Sequence, residues 1–177
     1  MRALANHRRS GEFRVLHYSL QRDHAHFVIE ASHRFALARG MKALGQRMAW
    51  IARKAFGWRG ALLDGRYHSR VLKTPREVRN AIAYTLLNAR KHLAERLRRT
   101  AAGASAVMRA LSEARIDPAS SGPWFTGWRR APAPVPQPPP VSEPRTWLAV
   151  SGWRGCRLLD PAEVPGSRQG LPARRSR

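Results

Sequence analysis

Acidic residues are scarce in this chain: 11 Asp plus Glu stand against 33 Lys plus Arg in 177 residues, a formal net charge of +22. That imbalance excludes the mixed surface of an ordinary soluble enzyme and makes a polyanion, nucleic acid above all, the expected partner. Cysteine is nearly absent, and with Cys156 alone an intramolecular disulfide is excluded. No run of about 18 apolar residues occurs and no signal peptide is recognised, so no membrane partner is expected. Cytoplasmic residence, at the nucleoid, is the expectation.

Histidines are few, yet two of them stand one residue apart in Gln21-Arg22-Asp23-His24-Ala25-His26-Phe27-Val28-Ile29-Glu30. The segment reads as a β-strand, where alternate side chains share a face. His24 and His26 therefore point the same way, with Ala25, Phe27 and Ile29 on the face a core would take. Two adjacent imidazoles make a two-point metal site, although a His-x-His pair on a strand also occurs as two half-exposed histidines with no ligand role.

A second segment, Thr74 to His92, carries a helix signature. Thr74, Pro75 and Glu77 form a capping box with proline in the first turn. At about 100° per residue, Val78, Ile82, Leu86, Ala89 and Leu93 gather into one apolar stripe. Tyr84 and Asn88 stand one turn apart on nearly the opposite side, with Cβ atoms about 5–6 Å from each other. Together with the histidines, an amide oxygen and a phenol complete the parts needed for metal-assisted attack on a phosphodiester. A divalent ion, Mg²⁺ or Mn²⁺, suits mixed nitrogen and oxygen ligands. Tyr67 is the rival phenol, but no amide lies one turn from it.

His24-Ala25-His26 resembles the His-hydrophobic-His signature of the HUH endonucleases, with Ala25 smaller than the usual bulky residue, and Tyr84-x-x-x-Asn88 resembles the nucleophile helix of their single-tyrosine transposases. The run from Phe13 to His92, including Gly65-Arg66-Tyr67-His68, is similar to the REP-associated tyrosine transposases, relatives of the insertion-sequence-200-like transposases. The resemblance implies a protein that binds single-stranded DNA beside hairpins and cleaves and rejoins it through a 5′-phosphotyrosine. It implies Tyr84 as nucleophile and His24, His26 and Asn88 as ligands of the divalent metal. Arg34, Arg76, Arg79, Arg90 and Lys91 are the candidate phosphate contacts.

Fold class follows from the element pattern. Phe13–Leu20 reads as a strand, and Gln21-Arg22-Asp23 makes it the hairpin partner of the histidine strand. A helix capped by Ser32 follows, with Leu37, Met41, Leu44, Met48, Ile51 and Ala55 as its apolar stripe and Gly57 and Gly60 at its end. Tyr67–Lys73 reads as a strand, and the capped helix runs from Pro75 to about Arg99. Strand, strand, helix, strand, helix is what remains of an α+β, ferredoxin-like antiparallel sheet once its first strand is removed. Composition divides the chain into an HUH-like domain over 1–116, a turn-rich aromatic segment over 117–130, a proline-rich linker over 131–145, and a short C-terminal segment with a basic tail over 146–177. Docking on the core is the expected role of Trp124, Phe125 and Trp128, with base stacking as the alternative.

Relatives begin with a strand and helix ahead of the hairpin, whereas Met1–Arg9 can supply only the end of that helix. The expectation is an open sheet edge, poor solubility, weak cleavage that an upstream extension would restore, and pairing with another chain such as a homodimer. Two further readings stand beside the transposase: a non-catalytic basic DNA- or RNA-binding protein, or a decayed copy. A replication initiator or relaxase would be longer.

Overall fold

A computed structural model describes residues 11–63, 67–100, 103–113 and 115–166. The expectations for residues 1–9 and for the basic tail beyond Gly166 fall outside the described residues. Among these the fold is mixed α and β, with two antiparallel strands and five α-helices.

Strands β1 (Phe13–Leu20) and β2 (Ala25–Ala31) pair from Phe13 opposite Ala31 to Leu20 opposite Ala25. The Gln21 N–H donates to the His24 carbonyl at 2.8 Å and closes the hairpin. A bulge between Val15 and His17 breaks the alternation of β1, so Leu16 and His17 in succession serve the same core.

The two faces of the hairpin bury different partners. Helix α1 (Arg34–Phe56) covers one, packing Leu37, Met41, Leu44 and Met48 against Phe13, Val15, Tyr18, Phe27 and Ile29. Gly40 lets helix and strand approach, because a Cβ there would collide with the Phe13 ring. His33, not Ser32, caps α1: its imidazole accepts the Ala36 N–H at 3.2 Å. Gly57, at φ 64°, ends the helix in the left-handed conformation that glycine takes without strain.

The opposite face packs on α2 (Pro75–Leu86) through Leu16, Val28, Val78, Ile82 and Leu86. Thr74 and Glu77 form the expected capping box, a reciprocal pair whose loss costs about 1 kcal/mol. The helix expected to run on to Arg99 breaks at Leu87, whose φ of −110° and ψ of 15° separate α2 from α3 (Asn88–Arg99). Helix α4 (Ala104–Glu113) follows.

Tyr67–Lys73 forms no strand. Val71 is 76% exposed and Leu72 alone packs on the core, so the segment buries too little to hold itself against a sheet. The edge of β1 is already occupied: Leu20 donates to Ala119, Ser121 to Tyr18 and Ser142 to Val15, all through backbone groups at 2.8–2.9 Å. Among the described residues, β2 has no backbone partner other than β1.

The compositional boundaries after residue 116 do not separate packed units. Phe125 and Trp128 enter the core as expected, joined by Trp153 and Leu159, and Val141 of the proline-rich stretch packs on the α1 side. The carboxylate of Glu30 ties the stretch down. It accepts the backbone N–H groups of Arg145 and Thr146 and the Thr146 hydroxyl, and pairs with Arg14 at 2.9 Å. Burial pushes the Glu30 carboxyl up, and the bonds from Thr146, Arg145 and Arg14 outweigh it, leaving the group below its ordinary value. Thr146 leads into a single helical turn, α5 (Trp147–Val150). Among the described residues no helix is long and apolar enough to cross a membrane.

Candidate functional site

Alternation along β2 sorts its side chains. Phe27 and Ile29 turn to α1, while His26 shares the other face with Val28, which packs on α2. His24 sits in the turn just before β2, its ring 4.7 Å from that of His26, centroid to centroid. The His24 Nδ1 lies 2.7 Å from Asp23 Oδ1, an arrangement that orients the imidazole and directs Nε2 elsewhere. The same bond lowers the Asp23 carboxyl.

His26 is half-buried, and its Nε2 has no hydrogen-bond partner among the described residues. Burial lowers its pKa, and the nearby charges of His24, His92 and Lys91 lower it further, which favours the neutral ring that can donate a lone pair to a metal.

Tyr84 reaches the pair from α2. Its core neighbours Ile82, Ala83 and Leu86 fix the helix on the sheet, and that leaves the phenol at the helix margin, 36% exposed. The ring lies 5.0 Å from that of His26, edge to face at 78°. The Lys91 ammonium stands 4.7 Å from the Tyr84 ring centroid and 3.7 Å from Glu95.

Asn88 is not on the polar side of its helix. The break at Leu87 resets the helical phase, so that Asn88, Arg90 and Ala94 are the buried residues of α3. Asn88 is wholly buried, and among the described residues neither Oδ1 nor Nδ2 has a hydrogen-bond partner. An unsatisfied buried amide costs about 1–3 kcal/mol, so an ionic or polar ligand is a physical reason to keep it. Among the described residues no group of three His, Cys, Asp or Glu side chains could hold a metal. A site here would need the Asn88 amide beside His24 and His26. The orphaned His26 Nε2 and Asn88 Oδ1 are groups of the right chemistry for it.

His92 escapes the sequence reading. Its ring lies 6.0 Å from His24, and its Nδ1 is 3.4 Å from Glu95 Oε2. The spacing of four from Tyr84 through residue 88 to His92 is visible in the sequence, but the break at Leu87 means that it does not trace one line along one helix.

The expected phosphate contacts divide. Arg34 and Arg76 are exposed, and Lys91 lies at Tyr84. Arg79 and Arg90 are engaged within the fold. Arg79 donates both terminal nitrogens to Glu163 at 2.6 Å and its Nε to the Arg157 carbonyl. Arg90 is buried and donates to the carbonyls of Ala162 and Leu111, and burial lowers its pKa. Both tie the C-terminal segment to the helices, and Arg90 ties α4 as well, because a guanidinium shielded from water needs acceptors for its N–H groups. Tyr67, on the irregular segment, is 46% exposed and has no ring contact with either histidine.

No family model, no curated protein and no solved structure matches this chain.

Proposed function

We propose that the protein is a single-stranded DNA transposase or endonuclease that cleaves beside hairpins and rejoins through Tyr84, acting on DNA in the cytoplasm. The observation that carries this reading is the meeting of His26 and Tyr84, ring centroids 5.0 Å apart. In the reaction the Tyr84 oxygen bonds to phosphorus, the phosphorus–O3′ bond breaks, and the phenol proton ends on the departing 3′-hydroxyl. Rejoining is the reverse. His24, His26 and Asn88 would hold a Mg²⁺ or Mn²⁺ ion, which polarises a phosphate oxygen when bound. The Asp23 carboxylate orients His24, and Lys91 offers a cation beside the nucleophile.

A ferredoxin-like arrangement, with β1 and β2 as its central hairpin and α2 as its nucleophile helix, is the finer fold we propose. The outer edge of β2, which has no partner among the described residues, is where a second copy would add in a homodimer. A second reading, a basic DNA- or RNA-binding protein without chemistry, draws support from the lack of any three-member His, Cys, Asp or Glu group among the described residues.

Incubation with single-stranded hairpin DNA and Mn²⁺, followed by a denaturing gel, separates the readings. Wild type should form a covalent protein–DNA adduct and Tyr84→Phe should bind the hairpin without forming one. Metal-independent binding with no adduct in the wild type would leave the non-catalytic reading, and an adduct in Tyr84→Phe would move the nucleophile elsewhere, with Tyr67→Phe as the next variant.

A further inference from the structure

The sheet separates the site at His26 and Tyr84 from the outer face of α1, and that outer face has a composition of its own. Over residues 34–56 the cations are Arg34, Arg39, Lys42, Arg47, Arg53 and Lys54, and no acidic residue is present. At about 100° per residue, Phe35, Arg39, Lys42, Gln46, Trp50 and Arg53 fall on one arc, opposite the Leu44 and Met48 stripe that packs on the sheet. The two rings on this arc are exposed, Phe35 by 60% and Trp50 by 59%. Each carries a cation: the Arg34 guanidinium lies 4.7 Å from the Phe35 centroid, and the Lys54 ammonium 5.2 Å from that of Trp50. Beside Trp50 runs a shallow groove lined by Ala43, Gln46 and Arg47, and the Arg47 Nε is buried without an acceptor.

We propose that this face is a docking surface for single-stranded DNA, separate from the Tyr84 site. Bases offer faces to stack on Phe35 and Trp50, and the phosphates between them meet the cations, the combination by which single strands are held without sequence preference. The rings stand 15 residues apart, a span of about 22 Å at about 1.5 Å per residue, long enough for several nucleotides. Charge decides against the other occupants. A second copy would bring the same cations face to face, since among the described residues only Arg39 of this helix is paired, with Glu12 at 2.8 Å on an exposed surface. A membrane-surface helix turns a continuous apolar face outward, whereas the apolar face of α1 is buried on the sheet. The choice of DNA rests on the proposed function. The surface itself does not.

The test measures binding of a labelled thymidine oligonucleotide to the full chain by fluorescence anisotropy, with Tyr84 adduct formation on hairpin DNA read separately. Trp50→Ala should weaken binding about tenfold, and Trp50→Phe should restore most of it. Lys42→Glu with Arg53→Glu should weaken it further and flatten its salt dependence. Quenching of tryptophan fluorescence by the oligonucleotide should shrink in Trp50→Phe. Unchanged affinity in both Trp50→Ala and the double variant overturns the surface, whatever the adduct assay gives. Equal affinity for a uridine RNA with the same dependence on Trp50, or Trp50-dependent binding to anionic phospholipid vesicles in place of DNA, overturns the assignment to DNA. Loss of the Tyr84 adduct in wild type with these binding effects intact would defeat the proposed chemistry and leave the surface standing.

Discussion

The imidazole of His26 and the phenol of Tyr84 meet edge to face, 5.0 Å between ring centroids, although one belongs to a strand and the other to a helix far along the chain. The contact exists because β2 turns His26 to the face that also carries Val28, and α2 is packed onto that face by Val78, Ile82 and Leu86. Four residues on from Tyr84, Asn88 has a wholly buried amide with no partner among the described residues.

Asn88→Leu should therefore raise the melting temperature of the metal-free protein, because an amide that costs about 1–3 kcal/mol is exchanged for an apolar group of similar volume. Calorimetry with Mn²⁺ should at the same time show binding strongly weakened, as it should for His24→Ala and His26→Ala. A drop in stability with unchanged Mn²⁺ affinity would show that the amide has a structural partner and no ligand role.

Arg79 and Lys91 should respond to mutation in opposite ways. Arg79→Ala breaks a two-point ion pair with Glu163 that is largely shielded from water, with side chains 12% and 25% exposed. The cost should be about 2 kcal/mol of stability, with the salt dependence of DNA binding unaltered. Lys91→Ala should leave the melting temperature nearly unchanged and reduce the slope of log affinity against log salt by about 0.7. A single-strand affinity that is flat between low and physiological salt would count against nucleic acid as the partner.

His17 gives stability a pH dependence. Its ring packs edge to face on Phe125 and its Nδ1 is buried without a partner, so burial pushes its pKa from 6.5 down to about 4. Between those values the unfolded chain binds the proton and the folded protein does not. The stabilising contribution is thus complete above about pH 6.5 and is lost as the pH falls towards 4, by about 3 kcal/mol in all. Urea unfolding over that range should show the slope in wild type and a flatter profile in His17→Phe. Parallel profiles would assign the acid sensitivity to other groups.

Local features of the sequence determined what local rules can reach. The Thr74, Pro75 and Glu77 cap, the glycine stop at Gly57, the hairpin between Phe13 and Ala31 and the two-faced alternation of β2 each depend on residues within a few positions of one another. Helical periodicity likewise marked Tyr84 as an outward phenol. Tertiary structure decided the rest. Ser32 yields the cap to His33, and Tyr67–Lys73 does not become a strand because the β1 edge is taken by residues 119–121 and 142, which no local pattern ties to it. The proline-rich stretch is anchored because Glu30 and Arg14, more than a hundred residues upstream, supply the buried charges that hold it. Asn88 and Arg90 are inside because one residue, Leu87, leaves the helical backbone and shifts the phase of all that follow. A periodic pattern carries no information about such a break, and only the packing of α2 and the C-terminal segment selects it.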